Sequence, residues 1–164
     1  MNKITDMNAF NEALSSLPLN QQRQVGARFV GNVLQLTDGK CVKRVQMLAE
    51  KNELTPEELE EAYHAVHAIY VATHPRSHFS ELDYRMQAAH FVAEACMTIV
   101  GPTYIGKGKQ HLAENAASYC RMARLCSVIH DAEGSPDFLL AEKELNKEIE
   151  AQFEILNKYL EDNS

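Results

Sequence analysis

From Leu82 to Val100 the chain carries a helix-length run with almost no polar side: Leu82, Tyr84, Met86, Ala88, Ala89, Phe91, Val92, Ala93, Ala95, Cys96, Met97, Ile99 and Val100. At about 100° per residue, these side chains cover nearly the whole circumference of a helix. A helix that is apolar almost all round has to be enclosed by other helices. The run therefore predicts an all-α fold, a compact bundle of six or seven helices, mostly antiparallel, with the 80–100 helix central. Ser80-Glu81-Leu82-Asp83 supplies its capping sequence, and Gly101-Pro102 stops it.

The other helices are bracketed by their own punctuation. Thr5 is placed to cap a short helix through Leu14, and Asn20 a second carrying Val25, Phe29, Val33 and Leu36, which halts at Asp38-Gly39. A third spans Cys41 to Lys51. In Thr55-Pro56-Glu57-Glu58, threonine caps, proline suits the first turn and Glu58 closes a capping box. That fourth helix runs to Thr73, before His74-Pro75, with Leu59, Ala62, Tyr63, Val66, Ile69 and Tyr70 along its seam. A sixth, from about Lys109 to His130, steps through Leu112, Ala116, Tyr119, Ala123, Cys126 and His130 by fours and threes. Ser135-Pro136 opens the last helix, whose expected apolar side is Phe138, Leu145, Ile149, Phe153, Leu156 and Leu160.

A chain of 164 residues fits a single domain, residues 1–164, large enough to stand without staples. Seven glycines and five prolines are few for this length, which argues against a β-rich architecture. A net charge of −7 disfavours nucleic acid as a partner, since phosphate binding needs clustered cations. Cys41, Cys96, Cys120 and Cys126 show neither metal nor disulfide spacing and read as small buried hydrophobes in a reducing compartment. With no apolar leader at MNKITDMNAF and no apolar run of about 20 residues, the expectation is a cytoplasmic protein without a membrane segment.

All seven histidines fall between His64 and His130. Histidine is the usual metal ligand and proton carrier near neutral pH, so any site is expected there. One narrow polar stripe crosses the apolar fifth helix: Asp83, Gln87, His90, Glu94 and Thr98. It is expected to be that helix's only wet edge, the alternative being a polar channel inside the bundle. His90 and Glu94, one turn apart, could share an ion. His64 with His67 and His111 with Glu114 form further two-residue pairs on neighbouring helices, and bundle metal sites are assembled from such inward pairs. A divalent metal is thus the one cofactor the pattern allows, although His64 points nearly opposite its own seam. Arg85 falls on the apolar arc, where it needs a carboxylate partner or must snorkel.

Glu61-Ala62-Tyr63-His64 resembles the Glu-x-x-His fragment of ferritin-like di-iron proteins, although a second such fragment is missing and His111-x-x-Glu114 runs in reverse. Arg85 with His90, and Arg124 with His130, resemble the Arg-x4–6-His spacing of helical ribonucleases of the HEPN class. In those enzymes a polar residue usually follows the arginine; here Met86 and Leu125 do. Gly101 to Gly108 imitates a phosphate loop but ends in glycine where magnesium needs a hydroxyl, and it follows a helix instead of a strand. Cys120 and His130 are about 15 Å apart along one helix, so no nucleophile is activated there. His130 suits the negative end of its helix.

The expected function is a binding or regulatory module, acting through a protein partner or self-association. The last helix, long, charged and heptad-like, is suited to docking, and a homodimer through the fourth, sixth or last helix would follow. An acidic accessory protein that masks a basic partner would fit the charge. The alternatives are a metal-binding bundle centred on His90 and Glu94, a HEPN-like ribonuclease, and a regulator with a small-molecule pocket around Tyr63, Tyr70, Met86 and Phe91.

Overall fold

The computed structural model describes residues 3–74, 83–101, 111–131 and 137–164, the side chains of residues 130 and 131 excepted. Seven α-helices follow one another: α1 (Met7–Ser16), α2 (Leu19–Asn32), α3 (Lys40–Ala49), α4 (Pro56–Ala72), α5 (Tyr84–Val100), α6 (Leu112–Asp131) and α7 (Phe138–Asp162). A single 3-10 turn, Leu34–Leu36, separates α2 from α3. No strand occurs among the described residues.

The helix starts follow capping chemistry, one or more residues away from several expected positions. The capping box forms as expected: Glu58 N–H donates to Thr55 Oγ1 at 3.1 Å and Thr55 N–H to Glu58 Oε2 at 2.9 Å. Elsewhere an aspartate adjoining the helix takes the role. Asp6, and not Thr5, accepts from Asn8 and Ala9 N–H, and Asp83 accepts from Met86 N–H. Asp137 accepts from Leu139 and Leu140 N–H, while Ser80 and Ser135-Pro136 lie outside the described residues. A carboxylate directly beside the first turn reaches two free amides and answers the positive helix end. Asn20 lies inside α2, which Pro18 precedes without a side-chain cap, and α2 ends at Asn32 instead of continuing to Leu36.

α5 packs against α2, α3, α4 and α6, as its apolar circumference requires, and its closest partner is α6. That contact is built from small side chains. On α5, Ala88, Val92, Ala95, Cys96 and Ile99 are buried, and on α6 Ala113, Ala116, Ala117, Cys120 and Ala123, all essentially without exposure. α2 is a second interior helix: it touches α3, α5, α6 and α7 and buries Val25, Gly26, Ala27, Phe29 and Val30. At the far side of α2, Phe10 joins Phe29 (ring centroids 5.7 Å) to Phe153 (5.2 Å), fastening α1 and α7 together. Such aromatic pairs add roughly 0.5–1.5 kcal/mol beyond their burial.

α7 departs from its apolar pattern. Its buried residues are Glu148, Gln152, Leu156 and Tyr159, while Phe138 is 80% exposed. The inner face works because each polar group meets a partner. Glu148 Oε2 accepts from Arg124 (Nη2 at 3.1 Å, Nε at 3.2 Å) and from Asn32 Nδ2 at 3.0 Å. Gln152 donates to the Ala117 carbonyl at 3.0 Å, and Tyr159 donates to Gln24 Oε1 at 2.6 Å. Asn157 clasps Ile4 through both backbone groups, at 2.9 and 3.0 Å. None of the ten residues 138–147 is buried, so about 15 Å of helix at the start of α7 is not enclosed by the bundle.

Candidate functional site

The polar stripe of α5 is not a wet edge. His90 is 7% exposed, Gln87, Glu94 and Thr98 are half-buried, and only Asp83 is open. The stripe faces the seam between α4 and α6. His90 Nδ1 stands 3.1 Å from the Tyr70 carbonyl and 3.2 Å from Thr73 Oγ1. That carbonyl belongs to the last turn of α4, where orphan acceptors collect, and the His74 N–H turns to Val71 at 3.3 Å instead. The Thr73 hydroxyl already donates to Ile69 at 2.8 Å. These partners assign the proton to Nδ1: His90 caps α4 from a neighbouring helix, which leaves Nε2 unprotonated in the neutral ring.

A ladder of rings runs through the seam. Tyr63 stacks near His67 (5.8 Å), His67 near Tyr70 (6.2 Å), Tyr70 on His90 (4.3 Å), and Phe91 on Tyr119 of α6 (6.4 Å). His74 meets His90 edge-on at 5.3 Å. Burial holds the His90 imidazole below its ordinary range; Glu94 and the Tyr70 carbonyl pull the other way, and His74 adds to the lowering. Burial raises the Tyr119 phenol, helped by the Glu94 charge and by its hydrogen bond to that carboxylate.

The neutral form of His90 is thus the one the fold accommodates. In the unfolded chain its pKa is about 6.5. The stability it contributes is complete above that value and is lost as pH falls through it toward the lower folded pKa. Urea midpoints measured between about pH 7.5 and 5.5 should fall with acidification, and His90→Gln should flatten that dependence. An unchanged slope in the variant would remove His90 from the account.

The other candidate residues are dispersed. His64 is exposed, 3.7 Å from Glu60, and His67 is an exposed member of the ring ladder. His111, exposed ahead of α6, pairs with Glu114 at 2.9 Å. Of these candidates, His90 and Glu94 lie within the seam, and His67 stands at its exposed edge. Among the described residues, no three His, Cys, Asp or Glu side chains are grouped as a metal ion requires. Tyr63, Tyr70 and Phe91 join the ladder, whereas Met86 is exposed. His78, Lys107, Lys109 and the Gly101-to-Gly108 loop beyond Gly101 lie outside the described residues, as does the side chain of His130.

The arginines of the Arg–His spacings are engaged elsewhere. Arg85 is exposed instead of turned into the apolar arc, and it reaches the likewise exposed Asp38 at 3.0 Å. Arg124 is held by Glu148 and by the Asn32 carbonyl at 3.2 Å. Sequence reasoning missed the inward placement of Glu148. The only signal available was a carboxylate one turn before Gln152 on a helix opposite an arginine-bearing one. No protein-family model, curated protein or solved structure matches the chain.

Two surface features remain. Phe138 and Leu139 are 80% and 79% exposed, and Leu140 is 42% exposed, at the projecting start of α7. Between α3 and α4 lies a groove of about 750 Å3. No described helix is long and apolar enough to cross a membrane.

Proposed function

We propose that the chain is a cytoplasmic protein-interaction module that docks its partner through the start of α7. The observation that carries this reading is the contiguous exposure of Phe138, Leu139 and Leu140 on a stretch of helix with no buried residue from 138 to 147. Single exposed leucines are ordinary, but adjoining large apolar side chains mark contact surfaces. Asp137 and Glu142 flank the trio, so the surface it suits is apolar with a basic rim. The unpaired cysteines agree with a reducing compartment.

The double substitution F138S/L139S tests the proposal. Both side chains stand in solvent, so the thermal midpoint should stay within about 1–2 °C of the wild type, the shift expected of surface changes. Proteins from the source cells that co-purify with wild type should be lost. Identical recovery by both would rule out the trio as the docking surface.

A second reading, a metal-binding bundle, is favoured by one detail. A metal-ligating histidine commonly gives its other ring N–H to a backbone carbonyl, as His90 does to Tyr70. Elemental analysis of tag-free protein beside the His90→Ala/Glu94→Ala variant decides it. Near-stoichiometric zinc, iron or manganese that vanishes in the variant supports this reading; a metal-free wild type dismisses it.

A further inference from the structure

The groove between α3 and α4 has a wall unlike the rest of this acidic protein. Four of its sixteen cations, Lys40, Lys43, Arg44 and Lys51, fall within twelve residues and line it. At helical spacing, Lys40, Lys43 or Arg44, and Met47 form one stripe of α3, and Lys51 lies two residues past the helix end. Met47 is 61% exposed, with cations one turn before it. Glu58, Glu61, Ala62 and Ala65 of α4 also line the groove, so its lining holds two carboxylates beside the four cations. Lys51 stands 4.0 Å from Glu58, but Lys40, Lys43 and Arg44 have no carboxylate within ion-pair distance among the described residues.

The start of α7 carries the opposite balance. Phe138 and Leu139 are preceded by Asp137, which also caps the helix; one turn on, Glu142 follows Phe138 and Lys143 follows Leu139. One surface presents an exposed methionine with cations in excess, four against two carboxylates; the other presents exposed apolar side chains with carboxylates in excess, Asp137, Glu142 and Glu144 against Lys143. Within one molecule their main packing partners differ: α7 packs on α1, α2 and α6, and α3 on α2, α4 and α5. We infer that the α3–α4 groove of one molecule receives the start of α7 from a second copy of this chain. Methionine, flexible and polarisable, accommodates such a partner without a preformed socket. Opposite charge sets the register and speeds the encounter. If each molecule gives its helix start and takes the other's, the contact closes as a two-fold dimer.

This inference rests on the start of α7 being the docking surface, and the tests separate the two claims. Sedimentation of the full chain should show self-association that weakens as salt is raised, because the flanking charges are exposed. F138S/L139S and K43E/R44E should each weaken it by about thirtyfold, the loss for one removed anchor. A Leu139→Cys variant under mild oxidation should form a disulfide-linked dimer with the native Cys41, which lines the groove. Adding Cys41→Ser should abolish that dimer. A wild type that stays monomeric overturns the inference, as does self-association untouched by K43E/R44E or a disulfide that survives Cys41→Ser. A monomer that still loses a cellular partner through F138S/L139S would leave the docking surface intact and refute only its occupant.

Discussion

Arg124→Met should lower the free energy of unfolding by about 3–5 kcal/mol, the cost of leaving one member of a buried ion pair alone. Glu148 has 1% of its side chain exposed, and Arg124 gives it two donors while also holding the Asn32 carbonyl. Removing the guanidinium strands a carboxylate with only amide donors from Asn32 and Gln152. Arg124→Lys should fall between wild type and Arg124→Met, because an ammonium cannot reproduce the planar fork. The double variant Arg124→Met/Glu148→Met should recover most of the loss, since apolar replacements of both partners remove the stranded charge. Denaturant titrations of the three variants give the numbers. A single-variant loss below about 1 kcal/mol, the range of exposed pairs, would mean that water reaches Glu148 and that α7 is held by its other contacts.

Gly26→Val should cost about 2–3 kcal/mol, toward the upper end of what overpacking a closed core produces. A Cβ at Gly26 would lie 2.6 Å from Ile99 Cγ2 and 3.6 Å from Ala116 Cβ, where α2 meets both α5 and α6. Ile99 is fully enclosed and has nowhere to rotate. Gly26→Ala should be milder, because alanine regains up to about 1 kcal/mol of helix propensity. Coupling it to Ile99→Ala tests the cause. The offending methyl is then gone, so the double variant should lose less than the sum of the singles. Additive losses would show that the clash is relieved by helix movement and not at Ile99.

The fold was legible wherever apolar side chains alone decide which face turns inward. The all-round apolar run of α5 named its central place, and Thr55 with Glu58 marked the start of α4. Legibility failed where polar groups do the packing. Glu148, Gln152 and Tyr159 look like the solvated side of α7 until Arg124, the Ala117 carbonyl and Gln24 are seen opposite them. Gly26 carried no local signal either, because its role is set by Ile99, seventy-three positions away. The site was half legible. The spacing of His90 and Glu94 put them on one face, but only the tertiary arrangement reveals that His90 answers a carbonyl at the end of α4. Nor does a local pattern say that Phe138 remains outside.

The small side chains between α5 and α6 have one more consequence, for thiol chemistry. Cys96 and Cys120 lie within that contact, and burial pushes both thiols up, so neither supplies thiolate while the helices stay together. Cys41 is only half-buried, at the α3–α4 groove, where a reagent reaches it from outside. An alkylating reagent therefore meets one population at the rate of simple access. It meets the other only at the rate at which the molecule's densest helix pair comes apart. The chain carries its own clock for global opening, written in sulfur at the place least tolerant of being opened.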